Sequence, residues 1–226
     1  MSEHALPPGQ VEVEGFPRFG VDLRRPPPPV PSDPVLVVRG AGADVGVPLT
    51  RLRELPRTEV VADLHCVAGW SATDLRWQGV AVADLYREVV GPRLAAGRHP
   101  THLLFRGADG FCSVVRLDDA LAPHVLLADT LDGAPLDGDH GAPLRLVSPA
   151  QYGYVSVKHL VRLEVHDSEP VGLRTTPLAR VQWWLLGLHP RARVWHHERH
   201  PVLPARVVAP VFRWLAGRIK RGLWSG

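Results

Sequence analysis

Cysteine is scarce. The chain has two in 226 residues, Cys66 and Cys112, and neither belongs to a Cys-x-x-Cys pair. That excludes a disulfide framework and a cysteine-rich zinc module, and it fits a reducing compartment. No uninterrupted apolar run reaches the length needed to cross a bilayer. Residues Met1 to Pro8 lack a basic start followed by an apolar stretch, so neither Sec nor twin-arginine export is indicated and the cytoplasm is the expected location. Excess charge is also in short supply. A formal net charge of +3 permits an anionic ligand but is too small to announce nucleic-acid binding, and no nucleic-acid partner is expected.

What the chain has in quantity is proline and glycine, 23 and 21 residues, which favours many short elements joined by tight turns. Its length suits one buried core with tails rather than two domains. The expected organisation is an N-terminal wrapping arm over residues 1–34, a folded domain over 35–166 and a basic, aromatic C-terminal extension over 167–226. The arm carries Gly15-Phe16-Pro17-Arg18-Phe19-Gly20 and then a polyproline stretch, Pro26 to Pro29, that runs extended. Val35–Arg39 reads as a strand. The Gly40-x-Gly42-x-x-x-Gly46 that follows lacks the helix a dinucleotide fingerprint requires, so it reads as a glycine-rich turn.

Leu49, Leu52 and Leu55 predict a short helix stopped by Pro56, and Val82, Leu85, Tyr86 and Val89 predict another ended by Gly91-Pro92. Residues 101–106 and 111–117 read as a hairpin around 107–110, with Cys112 as packing in its second strand. Asp118 and Asp119 are expected to cap one helical turn rather than to form a catalytic carboxylate pair. Residues 124–130 and 144–147 complete the strand pattern, with a tight turn at Asp132-Gly133.

The stretch with most chemical promise runs from Val60 to Ser71. Alternation puts Val60, Ala62, Leu64 and Cys66 on one face and turns His65 to the other, where it is expected to be structural. Cys66 ends the strand just before the bend at Gly69, a position from which a side chain can face a cavity. A lone cysteine among apolar neighbours is more often inert packing, and that alternative stands beside the functional one. Trp70 and Trp77 are expected to wall the pocket or pack beneath it.

Three stretches carry a resemblance. They are His65-Cys66-Val67-x-Gly69-Trp70-Ser71 with Trp77-x-Gly79-Val80, then Leu131-Asp132-Gly133-x-Pro135-Leu136, then the run from His140-Gly141-Ala142-Pro143 through Val147-x-Pro149 to Tyr152-Gly153-Tyr154-x-Ser156-Val157-Lys158. Together they resemble the molybdopterin-binding domain of the sulfite oxidase and methionine-sulfoxide reductase superfamily, over residues 35–166.

The resemblance implies an α+β fold, a mixed and partly barrel-like β core with short helices. It also implies a molybdenum–molybdopterin cofactor with Cys66 as the catalytic residue and the single protein ligand of the metal. A soft thiolate suits such a metal, and only the deprotonated sulfur would serve. His140, Arg145, Ser156, Val157 and Lys158 fall at the positions implied to contact the pterin. Arg18 and Phe19, on the segment implied to reach over it, and Asp109 join them as cofactor-binding candidates. The chemical logic is that a phosphate needs a planar guanidinium fork and an ammonium point charge. On residue type alone, an arginine in an exposed strand and a lysine after a turn are usually solvated.

The implied reaction is two-electron oxygen-atom transfer on a small-molecule substrate. A separate haem or flavin carrier is the expected electron partner, because the chain has no visible second redox centre. Two departures bear on the substrate. Val67-Ala68-Gly69-Trp70 supplies none of the arginines that bind sulfite in sulfite oxidases, and Ala68 stands where the bacterial methionine-sulfoxide reductases carry a glutamate.

In the extension, His196, His197 and His200 sit among Arg191, Arg193 and Arg199 and before Pro201, so no metal site is expected there. Val207, Val208, Val211, Phe212, Leu215 and Ile219 recur at helical spacing, while Arg206, Arg213, Arg218, Lys220 and Arg221 occupy the remainder. Such a helix either makes a peripheral contact with anionic membrane or packs on the core or a partner, and Pro210 favours packing. The rival to an enzyme is a non-catalytic interaction module that docks through this basic helix.

Overall fold

A computed structural model describes residues 6–7, 10–18, 26–66 and 69–170. Phe19 and the extension from residue 171 onward, including its histidine cluster and amphipathic stretch, lie outside the described residues. The elements are β1 (Val11–Glu12), β2 (Val35–Arg39), β3 (Val45–Pro48), α1 (Leu49–Arg53), β4 (Arg57–Cys66), β5 (Trp70–Ala81), α2 (Val82–Leu85), β6 (His102–Gly107), β7 (Cys112–Arg116), α3 (Leu117–Ala120), β8 (Leu126–Leu131), β9 (Ala134–Pro135), β10 (Arg145–Val147) and β11 (Leu160–His166). The strands form two mixed sheets. One runs β1-β5-β8-β10, with β4 added on β5 and β9 on β8; the other runs β3-β2-β11-β6-β7. Among the described residues the helices are short, so the described architecture is sheet-dominated and the α+β expectation holds only in its coarser form, mixed sheets with few short helices.

Local chemistry accounts for the elements. Gly40 and Gly42 adopt positive φ and return the chain from β2 into β3 as an antiparallel hairpin, which bears out the turn reading. Leu49 and Leu52 bury one side of α1. The second predicted helix begins as α2 and widens into a π turn over Tyr86–Val90 before a 3₁₀ turn at Gly91–Arg93. The predicted hairpin is β6–β7. Asp118 and Asp119 are not caps in the expected sense: the residue preceding α3 is Arg116, and the Asp118 carboxylate receives both Nε and Nη2 of that arginine at 2.9 Å. The same carboxylate also accepts from Asp119 N at 3.1 Å, so the arginine fork and the first turn of α3 share it.

The first sheet separates two cores, and strict alternation decides which side each residue joins. Along β8, Leu127 joins the core shared with the second sheet, while Leu126 and Ala128 face the opposite side. Along β10, Leu146 takes the shared core and Val147 the opposite side. A register shift between Gln78 and Gly79 restores this order where β5 meets β8. Gly79 is required there, since a Cβ on it would lie 2.0 Å from the Leu127 carbonyl oxygen. Gly79→Ala should therefore cost about 3 kcal/mol of folding stability, at the upper end for overpacking, measured by urea denaturation; a loss within experimental error would contradict the packing described.

Candidate functional site

The side of the first sheet that faces away from the second sheet holds the chemistry. Cys66, at the last position of β4, is buried there with Trp70, Trp77, Ala142 and Val147, and Val60, Ala62 and Leu64 line the same side as the alternation predicts. His65 points away, its Nδ1 lying 2.8 Å from Ser71 Oγ, and burial pushes its imidazole pKa down. The N-terminal arm ties down this strand end. β1 lies parallel to β5 at Trp70 and Ser71, and Gln10 Nε2 donates to the Cys66 carbonyl at 3.1 Å. From the other flank, Gly153 N donates to the His65 carbonyl at 2.8 Å, bringing the 151–156 turn against the same strand.

Arg145 departs most from the solvated alternative. It is 1% exposed on β10, opposite Ala128, and points to the same side as Cys66. Its hydrogen-bond partners are carbonyls: His140 O to Nη1 at 2.9 Å, Ser156 O to Nη2 at 3.4 Å and Leu146 O to Nε at 3.5 Å. Its guanidinium lies 4.8 Å over the ring of Trp77 and 5.6 Å from that of Phe16. No carboxylate among the described residues pairs with it, and burial lowers its pKa to about 9.

Lys158 is the second cation. Its Nζ donates to the Asp139 carbonyl at 2.7 Å, and burial, with the nearby charges of Arg145 and Arg18, lowers its pKa to about 8. Arg18 reaches the same corner from the arm and pairs with the half-exposed Asp139 carboxylate at 3.3 Å.

The other candidates sort themselves by what they touch. His140 is held by Asp137 Oδ1 at 2.7 Å and by the Phe16 carbonyl at 2.8 Å, with the Phe16 ring 4.8 Å away. Ser156 is buried, its hydroxyl accepting from Ser148 N and its carbonyl holding Arg145. Val157 sends its side chain into the shared core, away from this side. Asp109 is exposed on the β6–β7 turn, accepts from Phe111 N at 3.0 Å, and acts on Lys158 only through its charge. Phe19 lies outside the described residues; Phe16, not among the candidates named from the sequence, is the described arm ring that meets His140, Trp77 and Arg145. Nothing in the sequence pointed to Gln10.

This is a site with surplus buried positive charge. Two cations, Arg145 and Lys158, share one corner and repel each other, with the half-exposed Asp139 and the exposed Asp109 as the nearby acids. Burial on that scale is tolerated when an anion supplies the missing counter-charge. A groove of about 520 Å³ on the far side of Phe16 does not serve, because Glu12, Glu14, Asp74 and Asp132 make its walls acidic.

Comparison with known proteins agrees with the charge. The family described as "Oxidoreductase molybdopterin binding domain" matches residues 29–173, more than half of the chain. The chain belongs to this family. Its cofactor is molybdenum–molybdopterin, and it is a molybdopterin-dependent oxidoreductase. It is 34% identical over 148 residues to the uncharacterized oxidoreductase YuiH of Bacillus subtilis, covering 66% of this chain and 68% of that protein. It is also 34% identical over 131 residues to the catalytic subunit of the protein-methionine-sulfoxide reductase MsrP of Ralstonia nicotianae, covering 53% of this chain and 39% of that one. The chain therefore spans about two fifths of the reductase subunit it matches. The sulfane dehydrogenase SoxCD of Paracoccus pantotrophus shares the fold, with a TM-score of 0.53 at 20% identity over 64% of this chain and 40% of that one.

The residues of this molybdopterin oxidoreductase fit the group. A cofactor phosphate would supply a counter-charge for Arg145 and Lys158, and Cys66 offers a soft donor on the same side of the sheet. A titration prediction follows for the cofactor-free chain. Unfolded Lys158 holds its proton to pH 10.5 and folded Lys158 only to about 8, so stability should rise with pH between those values. Lys158→Met should raise the melting temperature at pH 7, flatten that rise and remove the stabilisation that inorganic phosphate gives the wild type. A variant with an unchanged melting curve would contradict this account of Lys158.

Proposed function

We propose that this chain catalyses two-electron oxygen-atom transfer on a small substrate, with the Cys66 thiolate as the protein ligand of molybdenum. The observation that carries the reading is the shared sheet face: Cys66 at the end of β4 belongs to the same buried cluster as Trp77, and Arg145 on β10 lies over the Trp77 ring. That shared face supports reading the thiol as the soft donor and the guanidinium as the anion-seeking cation for one ligand. When bound, the cofactor supplies the two-electron change and the site of oxygen transfer.

The chain's own residues hold and shield. Arg145 and Lys158 anchor the phosphate, and His140 is kept in place through Asp137 and Phe16. Trp70, Trp77 and the arm residue Phe16 keep water from the apolar wall around Cys66. Gln10 secures the strand end that presents the thiol. The absence of an acid at Ala68 and of arginines in the 67–70 segment argues for a substrate other than sulfite and for a proton route unlike that of the methionine-sulfoxide reductases. A separate haem or flavin protein is proposed as the electron carrier. Neither cysteine forms a disulfide, which supports residence in the reducing cytoplasm.

The full chain purified from a molybdenum-replete host should contain about one molybdenum per chain, as expected for one thiolate ligand site. Cys66→Ser should fold, lose metal and lose redox turnover with artificial electron carriers, measured by elemental analysis and dye reduction. Full activity in that variant would overturn the ligand assignment.

A further inference from the structure

Arg145 is held without an acid, and what holds it is aromatic. Its guanidinium carbon lies 4.8 Å over the Trp77 ring and 5.6 Å from the Phe16 centroid. Those two rings meet edge to face at 5.8 Å and 88°, so they approach the cation from different directions. Trp77 is fully buried, and its indole N–H has no acceptor among the described residues. What Arg145 meets is the face of the ring.

We infer that Trp77 and Phe16 form an aromatic clamp that orients the Arg145 guanidinium without neutralising it, so that its full charge is available to the phosphate of the bound cofactor. A carboxylate in the same place would fix the arginine equally well, but it would occupy the fork and cancel the charge. An aromatic face attracts the cation through its quadrupole, brings no net charge and takes up none of the guanidinium N–H groups; Nε, Nη1 and Nη2 each give one to a carbonyl, and the second N–H of Nη1 and of Nη2 is left for an anion. The three carbonyls at His140, Leu146 and Ser156 complete the hold from the sides and are also neutral. Trp77 is rooted in β5 and Phe16 in the arm, so the clamp closes only when the arm is seated beside β5 at Trp70 and Ser71. Both rings are positioning residues. The inference rests on the assignment of Arg145 to the anionic end of the cofactor and is independent of the role of Cys66.

The test uses the full-length chain loaded with cofactor and dialysed against increasing inorganic phosphate, with pterin retention read by fluorescence after denaturation. Phe16→Leu should release pterin at about tenfold lower phosphate than the wild type, the change expected for a desolvated cation–π contact. Phe16→Tyr, which keeps the ring, should match the wild type. Trp77→Phe should fall between, and Trp77→Leu should release most readily; if the last does not fold, the Phe16 pair decides. In an Arg145→Met background the two Phe16 variants should release alike, because the ring acts through the arginine. Equal release by Phe16→Leu and wild type, or a further loss from Phe16→Leu in the Arg145→Met background, would overturn the clamp. Wild-type retention by Arg145→Met itself would overturn the underlying assignment of Arg145, and the clamp with it.

Discussion

A positive charge buried where no acid among the described residues meets it is the constraint on which this structure turns. Arg145 is as deep in the molecule as the leucines around it, yet its partners are three carbonyl oxygens and two aromatic rings. Desolvation of that kind is unfavourable and lowers the pKa of both Arg145 and Lys158. An anionic ligand would supply the opposite charge, and the family to which the chain belongs binds molybdopterin.

The rest of the architecture can be read as the means of holding that charge still. β10 has three residues, and alternation along it sends Leu146 to the shared core and Arg145 and Val147 to the side of Cys66. The β8 strand beside it alternates in step, and the irregularity at Gln78 and Gly79 keeps β5 in phase, so that Trp77 comes to lie under the guanidinium. The arm adds what the sheet cannot. It clips the end of β4 through Gln10, then turns Phe16 and Arg18 toward His140, Arg145 and Asp139.

Several strands and turns were legible because period-two alternation and glycine turns are local properties, although β5, the long strand after Cys66, was not foreseen. The Cys66 strand, the Gly40–Gly46 turn and the β6–β7 hairpin all appear where residue spacing puts them. Local reasoning was incomplete at two helices. The Asp118 carboxylate is shared between Arg116, two residues before it, and the backbone N–H of Asp119. The second helix does not hold one period through to Gly91, passing instead through π and 3₁₀ turns. Val157, read with its neighbours as a cofactor contact, gives its side chain to the core, since alternate residues of a short extended run cannot all face one way.

By itself the sequence determined a mixed, strand-rich domain, a cysteine at the end of a strand and the cationic residue types an anionic cofactor needs, because each of these follows from residue identity and near-neighbour spacing. Only the tertiary structure decided that Arg145 is buried rather than solvated, that Phe16 is the arm residue that meets it, and that Trp77 presents a ring face instead of a hydrogen bond. The reason is physical: burial, charge compensation and ring stacking are properties of groups brought together from distant parts of the chain, and no local pattern encodes which of them will meet.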